Sequence, residues 1–140
     1  MPNRDLLSRS TRGHIDLPRL QAGHVALQVF SSVSQTPRGQ NYQSNPDNDQ
    51  LWLLVMAQQQ PGRTWFSPLQ RSLFHAQKLD AAVAASNGAL VAIRTRADLA
   101  RLLAARADPA RWRVDRGGYT PRPGPPTGAL FSGEGLQKLG

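Results

Sequence analysis

Ala89-Leu90-Val91-Ala92-Ile93-Arg94-Thr95-Arg96-Ala97-Asp98-Leu99 is the stretch on which the fold turns. Residues 89–93 form a short apolar run with two β-branched members, and a run of that length reads as a strand. Thr95, followed three residues later by Asp98, is a helix start in which a hydroxyl and a carboxylate can satisfy each other's backbone N–H groups. Leu99, Leu102 and Leu103 then fall at helical spacing and are expected on the inner side, and Asp108-Pro109 closes the helix. A strand running directly into a capped helix is the repeating step of a parallel α/β fold.

Toward the N-terminus the same alternation continues. Ser67-Pro68-Leu69-Gln70 places a hydroxyl cap, a proline at the first helical position and a glutamine three residues after the cap. Leu69, Leu73, Ala76, Leu79 and Val83 follow as one apolar stripe, ended by Asn87-Gly88. An earlier helix is expected after Asp47-Asn48-Asp49, with Leu51, Leu54 and Val55 on one face and Pro61-Gly62 as its stop. Val25-Ala26-Leu27-Gln28-Val29-Phe30 reads as a buried strand. His14 to Leu20 reads as extended-to-turn, because Pro18 biases Leu17 away from helical angles.

Toward the C-terminus, Val114 to Pro126 is rich in proline and glycine and suits neither a helix nor a central strand. Gly128 to Leu136 reads as a short strand with Glu134 at its carboxyl end, between two glycines. Three segments are therefore expected: an α/β part over 1–113, a Pro/Gly-rich insert over 114–127 and a strand remnant over 128–140.

The 140 residues carry a formal net charge of +8, almost all positive charge being arginine, since Lys78 and Lys138 are the only lysines. Such a balance favours anionic partners. The arginines are scattered, however, and no aromatic residues interleave with them as a stacking platform requires, so nucleic-acid binding is the rival reading and not the leading one. Cysteine is absent, which excludes disulfides and thiolate metal ligands. No apolar run has signal-peptide or membrane-span length, and a cytoplasmic location is the expectation.

Two features could carry chemistry. In His14-Ile15-Asp16 the first and third residues share a face if the segment is extended, so imidazole and carboxylate could meet one metal ion; the alternative is an exposed histidine beside a turn aspartate. Glu134, flanked by Gly133 and Gly135, could approach a metal or ligand closely; the alternative is an exposed loop glutamate. His24 and His75 have no evident partner, and His75 reads as a surface residue. No G-x-S-x-G, phosphate-loop or dinucleotide glycine pattern occurs.

Four strings, taken in order, resemble the membrane dipeptidase (renal dipeptidase-like) family of zinc metallopeptidases. They are Gly13 to Gly23 with its Asp16-Leu17-Pro18-Arg19-Leu20 core leading into Val25–Phe30; Thr36 to Tyr42; Ile93 to Leu99; and Ala129 to Leu136. The resemblance implies a partial TIM-type (β/α)₈ barrel, its first half, without the first strand. It implies hydrolysis of a dipeptide by a water activated between two zinc ions, with Glu134 as the bridging metal ligand. The family's own H-x-D zinc pair lies upstream of the D-L-P-R stretch, so His14 and Asp16 fall in the wrong place for it. Gly133 stands where the family has isoleucine. A barrel takes about 250 residues, so this chain is expected to lack most metal ligands and to be inactive by itself. Its expected partners are the family's dipeptide substrate and either a further copy or a second chain that completes the barrel.

Overall fold

Asp16 starts the first helix. Its backbone is extended and its carboxylate accepts the N–H of Arg19, while Leu17 and Pro18 occupy the first two positions of α1 (Leu17–Ala22). Proline is harmless there because the first N–H groups of a helix have no intrahelical partner. The extended-to-turn expectation for this stretch is therefore corrected: Pro18 opens a helix where it was read as blocking one. The computed structural model describes residues 5–39, 43, 48–109 and 124–134.

The remaining elements are β1 (Leu27–Val33), α2 (Leu51–Ala57), a 3-10 turn (Gly62–Thr64), α3 (Pro68–Ala85), β2 (Leu90–Ala92), α4 (Arg96–Ala107) and β3 (Thr127–Glu134). The three strands form a parallel sheet in the order β1-β3-β2, with Leu90 opposite Thr127 and Ala92 opposite Ala129. The α/β class expected from the sequence is thus observed. Ser67 Oγ accepts the N–H of Gln70 at 3.2 Å at the start of α3. Thr95 and Asp98 form the expected reciprocal cap on α4. Most of the Pro/Gly-rich insert, through Pro123, lies outside the described residues.

The described residues fall into two compact units, one drawn from Ser31–Lys78 and from Phe131 onward, the other from Asp5–Phe30 and Leu79–Leu130. The second has an apolar interior. Leu17, Leu90 and Ala129 are buried together, with Leu6, Leu7, Phe30, Leu79, Val83 and Ala89 packed against them. Each fully buried leucine there contributes about 1.5–3 kcal/mol. Gly128 lies at a tight point of this unit: a Cβ at that position would come within 2.6 Å of Leu102 Cδ2, 2.8 Å of Leu27 Cδ1 and 3.1 Å of Ile93 Cγ1.

The interior of the first unit is largely polar. Ser32, Ser34, Thr64, Arg71 and Ser72 are buried in it beside Val55. Here several apolar expectations are corrected. On α2 Leu54 is 52 % exposed and Val55 is the buried residue; on α3 Leu69 and Leu73 are 43 % and 44 % exposed, because the helix turns Arg71 and Ser72 inward over this half. The later members of the stripe, Leu79 and Val83, belong to the second unit and pack against its buried cluster. On α4, Leu102 is buried while Leu99 and Leu103 are exposed. Strand β1 alternates in exposure and is not buried throughout, with Leu27, Val29 and Val33 all exposed. No described helix is long and apolar enough to cross a membrane.

Candidate functional site

Glu134 is the last residue of β3, the middle strand of the sheet, and so lies at its carboxyl end. In parallel α/β folds that end is where loops gather ligands and metals, because each strand there hands over to the segment leading into the next helix. Gly133 precedes it within the strand.

Asp16 does something different from metal ligation. It is fully buried. One carboxylate oxygen takes the N–H of Arg19 at 3.0 Å; the other takes the N–H of Ser10 at 3.2 Å and Arg19 Nη1 at 2.5 Å. Arg19 also donates through Nη2 to the Ser10 carbonyl at 2.7 Å. The D-L-P-R string is thus a self-contained capping unit: aspartate caps, proline opens the helix, and arginine folds back over the cap. His14 is exposed. Among the described residues no group of three or more His, Cys, Asp or Glu side chains is placed to hold a metal ion. The described donor set therefore does not fit a two-zinc centre, and no catalytic step can be drawn through one from these residues.

Two groups in the Ser31–Lys78 unit escaped the sequence reading. The first centres on Arg71, only 1 % exposed, whose guanidinium donates from Nε to Thr64 O at 2.7 Å and from Nη1 to Ser34 O at 2.7 Å and Asp49 Oδ2 at 2.5 Å. Its Nη2 donates to the carbonyl of Trp65. Burial works to raise the pKa of Asp49, but the Leu51 N–H, Arg71 and the Thr36 N–H together outweigh it and hold the carboxyl below its ordinary range. Arg71 thereby fastens the end of β1, the start of α2 and the 3-10 turn to α3.

The second group centres on His75, expected at the surface and found half-buried. Its Nδ1 lies 2.6 Å from Ser32 Oγ on β1, and its Nε2 lies 3.4 Å from Gln60 Nε2. Gln60 Nε2 also donates to Gln58 Oε1 at 2.8 Å, which orients the amide. Serine hydroxyl both donates and accepts, so the Ser32 contact is satisfied by either tautomer of the ring. The pair ties strand β1 to helix α3. Burial, and then the Lys78 ammonium, lower the histidine pKa. One signal in the sequence pointed to Ser32: it shares the alternating face of β1 with Phe30 and Gln28.

No family model matches the chain, and no curated protein or solved structure matches it.

Proposed function

We propose that this chain is a dipeptidase-type barrel segment, the first half of a (β/α)₈ scaffold, whose contribution to chemistry is the single carboxylate of Glu134 and which does not hydrolyse dipeptides unaided. The observation that carries the reading is the position of Glu134 at the carboxyl end of the middle strand of a parallel sheet, where barrels of this type hold their catalytic groups. The capped D-L-P-R helix entering β1 supports it, since the string that carries the resemblance is one continuous folding unit. In a barrel, consecutive strands are neighbours. On this reading β1 and β3 pair side by side, and β2, which leads into the Ile93–Leu99 string, lies at the edge of β3 and not between them.

Of the described residues, Glu134 is the one that would hold zinc on this reading. The metal would supply an activated water and polarise the peptide carbonyl. The test is dipeptide hydrolysis with zinc by the purified chain, alone and mixed with a polypeptide carrying the remaining strands of a barrel. The expected result is no hydrolysis by the chain alone, hydrolysis on mixing, and its loss with Glu134→Ala. Hydrolysis by the chain alone, failure of the mixture to hydrolyse, or a Glu134→Ala mixture as active as the unsubstituted one would overturn the proposal.

A further inference from the structure

We propose that α2 and Phe66 form an interfacial surface by which the Ser31–Lys78 unit seats on an anionic lipid bilayer.

Helix α2 reads Leu51-Trp52-Leu53-Leu54-Val55-Met56-Ala57 and carries no polar side chain. A helix that is apolar all round belongs in a protein interior or in a lipid phase. Here the interior takes one side only: Val55 is buried, whereas Leu53, Leu54 and Met56 are exposed. Exposed leucines scattered singly are ordinary on protein surfaces. These are not scattered. Trp52 and Met56 stand one turn apart with Leu53 beside them, so the three share a side of the helix. Trp52 also meets the ring of Phe66, with centroids 6.2 Å apart. Phe66 itself is 75 % exposed and Leu53 is 54 % exposed, so both stand out from the surface and do not line a groove. Leu69 and Leu73, exposed and one turn apart on α3, follow Phe66 closely in the chain.

The charge of the same unit selects the occupant. Ser31 to Lys78 contains Arg38, Arg63, Arg71 and Lys78 against Asp47 and Asp49. Arg71 and Asp49 pair with each other, while Arg38, Arg63 and Lys78 are exposed. The Arg63 guanidinium donates to Gln77 Oε1 at 3.3 Å, an uncharged partner that leaves its positive charge in place. Gln77 lies one turn beyond Leu73 on α3, which puts that charge beside the apolar row. Protruding apolar side chains edged by cations suit an anionic membrane surface, where the apolar groups enter the acyl boundary and the cations meet headgroup phosphates. A second copy of the chain would bring like charges together across this surface. A nucleic-acid strand needs exposed rings on which bases stack, whereas here Trp52 is partly covered and the side chains around Phe66 are aliphatic. Length sets the depth. The seven residues of α2 span about 10 Å, against about 30 Å of hydrocarbon, so the helix lies along the interface and does not cross it.

The experiment is flotation of the full chain with vesicles of phosphatidylcholine alone and of phosphatidylcholine mixed with phosphatidylglycerol, at low and high salt. Gel filtration without lipid and a mobility shift with a single-stranded oligonucleotide run beside it. The expected result is flotation with the mixed vesicles, weakened by salt and slight on phosphatidylcholine alone. Leu53→Gln and Phe66→Gln, each at an exposed position, should weaken it about tenfold, and Arg63→Gln about fivefold. Leu103→Gln and Arg96→Gln change exposed residues of the other unit and should leave it as it was. No flotation, equal flotation on the uncharged vesicles, or equal losses from the substitutions in the two units would overturn the proposal. A dimer that Leu53→Gln abolishes, or oligonucleotide binding that Phe66→Gln abolishes, would also overturn it, since each names another occupant.

Discussion

Replacing Arg71 by methionine keeps a stem of similar length and removes a guanidinium that is 1 % exposed. The effect can be worked from its bonds. Three backbone carbonyls, those of Ser34, Thr64 and Trp65, lose their donor. At about 1 kcal/mol each for an acceptor left unsatisfied in the interior, they sum to roughly 3 kcal/mol. Asp49 loses its ion partner but is 19 % exposed, so water recovers part of that interaction. The expected loss is about 3–5 kcal/mol, the range found when one member of a buried charged pair is removed. Against a typical total of about 5–15 kcal/mol this is a large fraction. Urea unfolding followed by far-ultraviolet circular dichroism should show it as a midpoint lowered by at least about 1 M, given slopes of about 1–3 kcal/mol/M. Arg71→Lys should fall between, since one ammonium cannot serve four acceptors spread around a planar fork. A loss below about 1 kcal/mol for Arg71→Met would refute the reasoning, because it would mean that the three carbonyls find water as readily without the arginine.

Gly128→Ala should destabilise the fold by about 1 kcal/mol net. Overpacking against Leu102, Leu27 and Ile93 costs about 1–3 kcal/mol and reduced unfolded-state freedom returns about 0.4–1. Thermal unfolding of Gly128→Ala beside Gly128→Val, which should be worse, checks it; a stabilised alanine variant would show that the strand backbone has room to shift. Acid should weaken the protein in two stages. The His75 pKa is lowered on folding, so its contribution is complete above the ordinary 6.5 and is lost as pH falls from there through the folded value, the unfolded chain taking the proton first. The Asp49 pKa is also lowered, and its contribution holds above 3.8 and is lost below that, through its own folded value. Unfolding midpoints measured against pH should therefore lose the upper stage in His75→Asn and keep the lower one.

The apolar unit was the legible one. Leu90, Leu79 and Val83 stand at strand and helix spacings that any amphipathic reading finds, and Thr95 with Asp98 is a local cap needing only three residues of context. The polar interior was not legible, for a physical reason. A hydrophobic stripe predicts which face of a helix turns inward only while apolar burial decides the matter. On the first half of α3 four hydrogen bonds to Arg71 decide it instead, and their acceptors come from positions 34, 49, 64 and 65, separations that no periodicity reports. His75 was misread for the same cause, since its partners Ser32 and Gln60 lie 43 and 15 residues away.

The H-x-D string shows what a short pattern leaves undecided. Extended backbone at Asp16 would have suited metal ligation and suits helix capping equally, because in both cases the carboxylate must be held away from water by neighbours it can satisfy. The deciding residues are Pro18 and Arg19. Proline makes Leu17–Pro18 a helix start, which directs the aspartate onto the N–H of Arg19, and the arginine then occupies the remaining carboxylate oxygen. A carboxylate already accepting from two backbone N–H groups and a guanidinium has little capacity left for a cation, and displacing that arginine would expose the cap. Glu134 differs in each respect: it ends a strand instead of starting a helix, and it follows a glycine instead of leading an arginine by three. It is therefore the Glu134 carboxylate, and not that of Asp16, on which a test of metal chemistry in this chain should be spent.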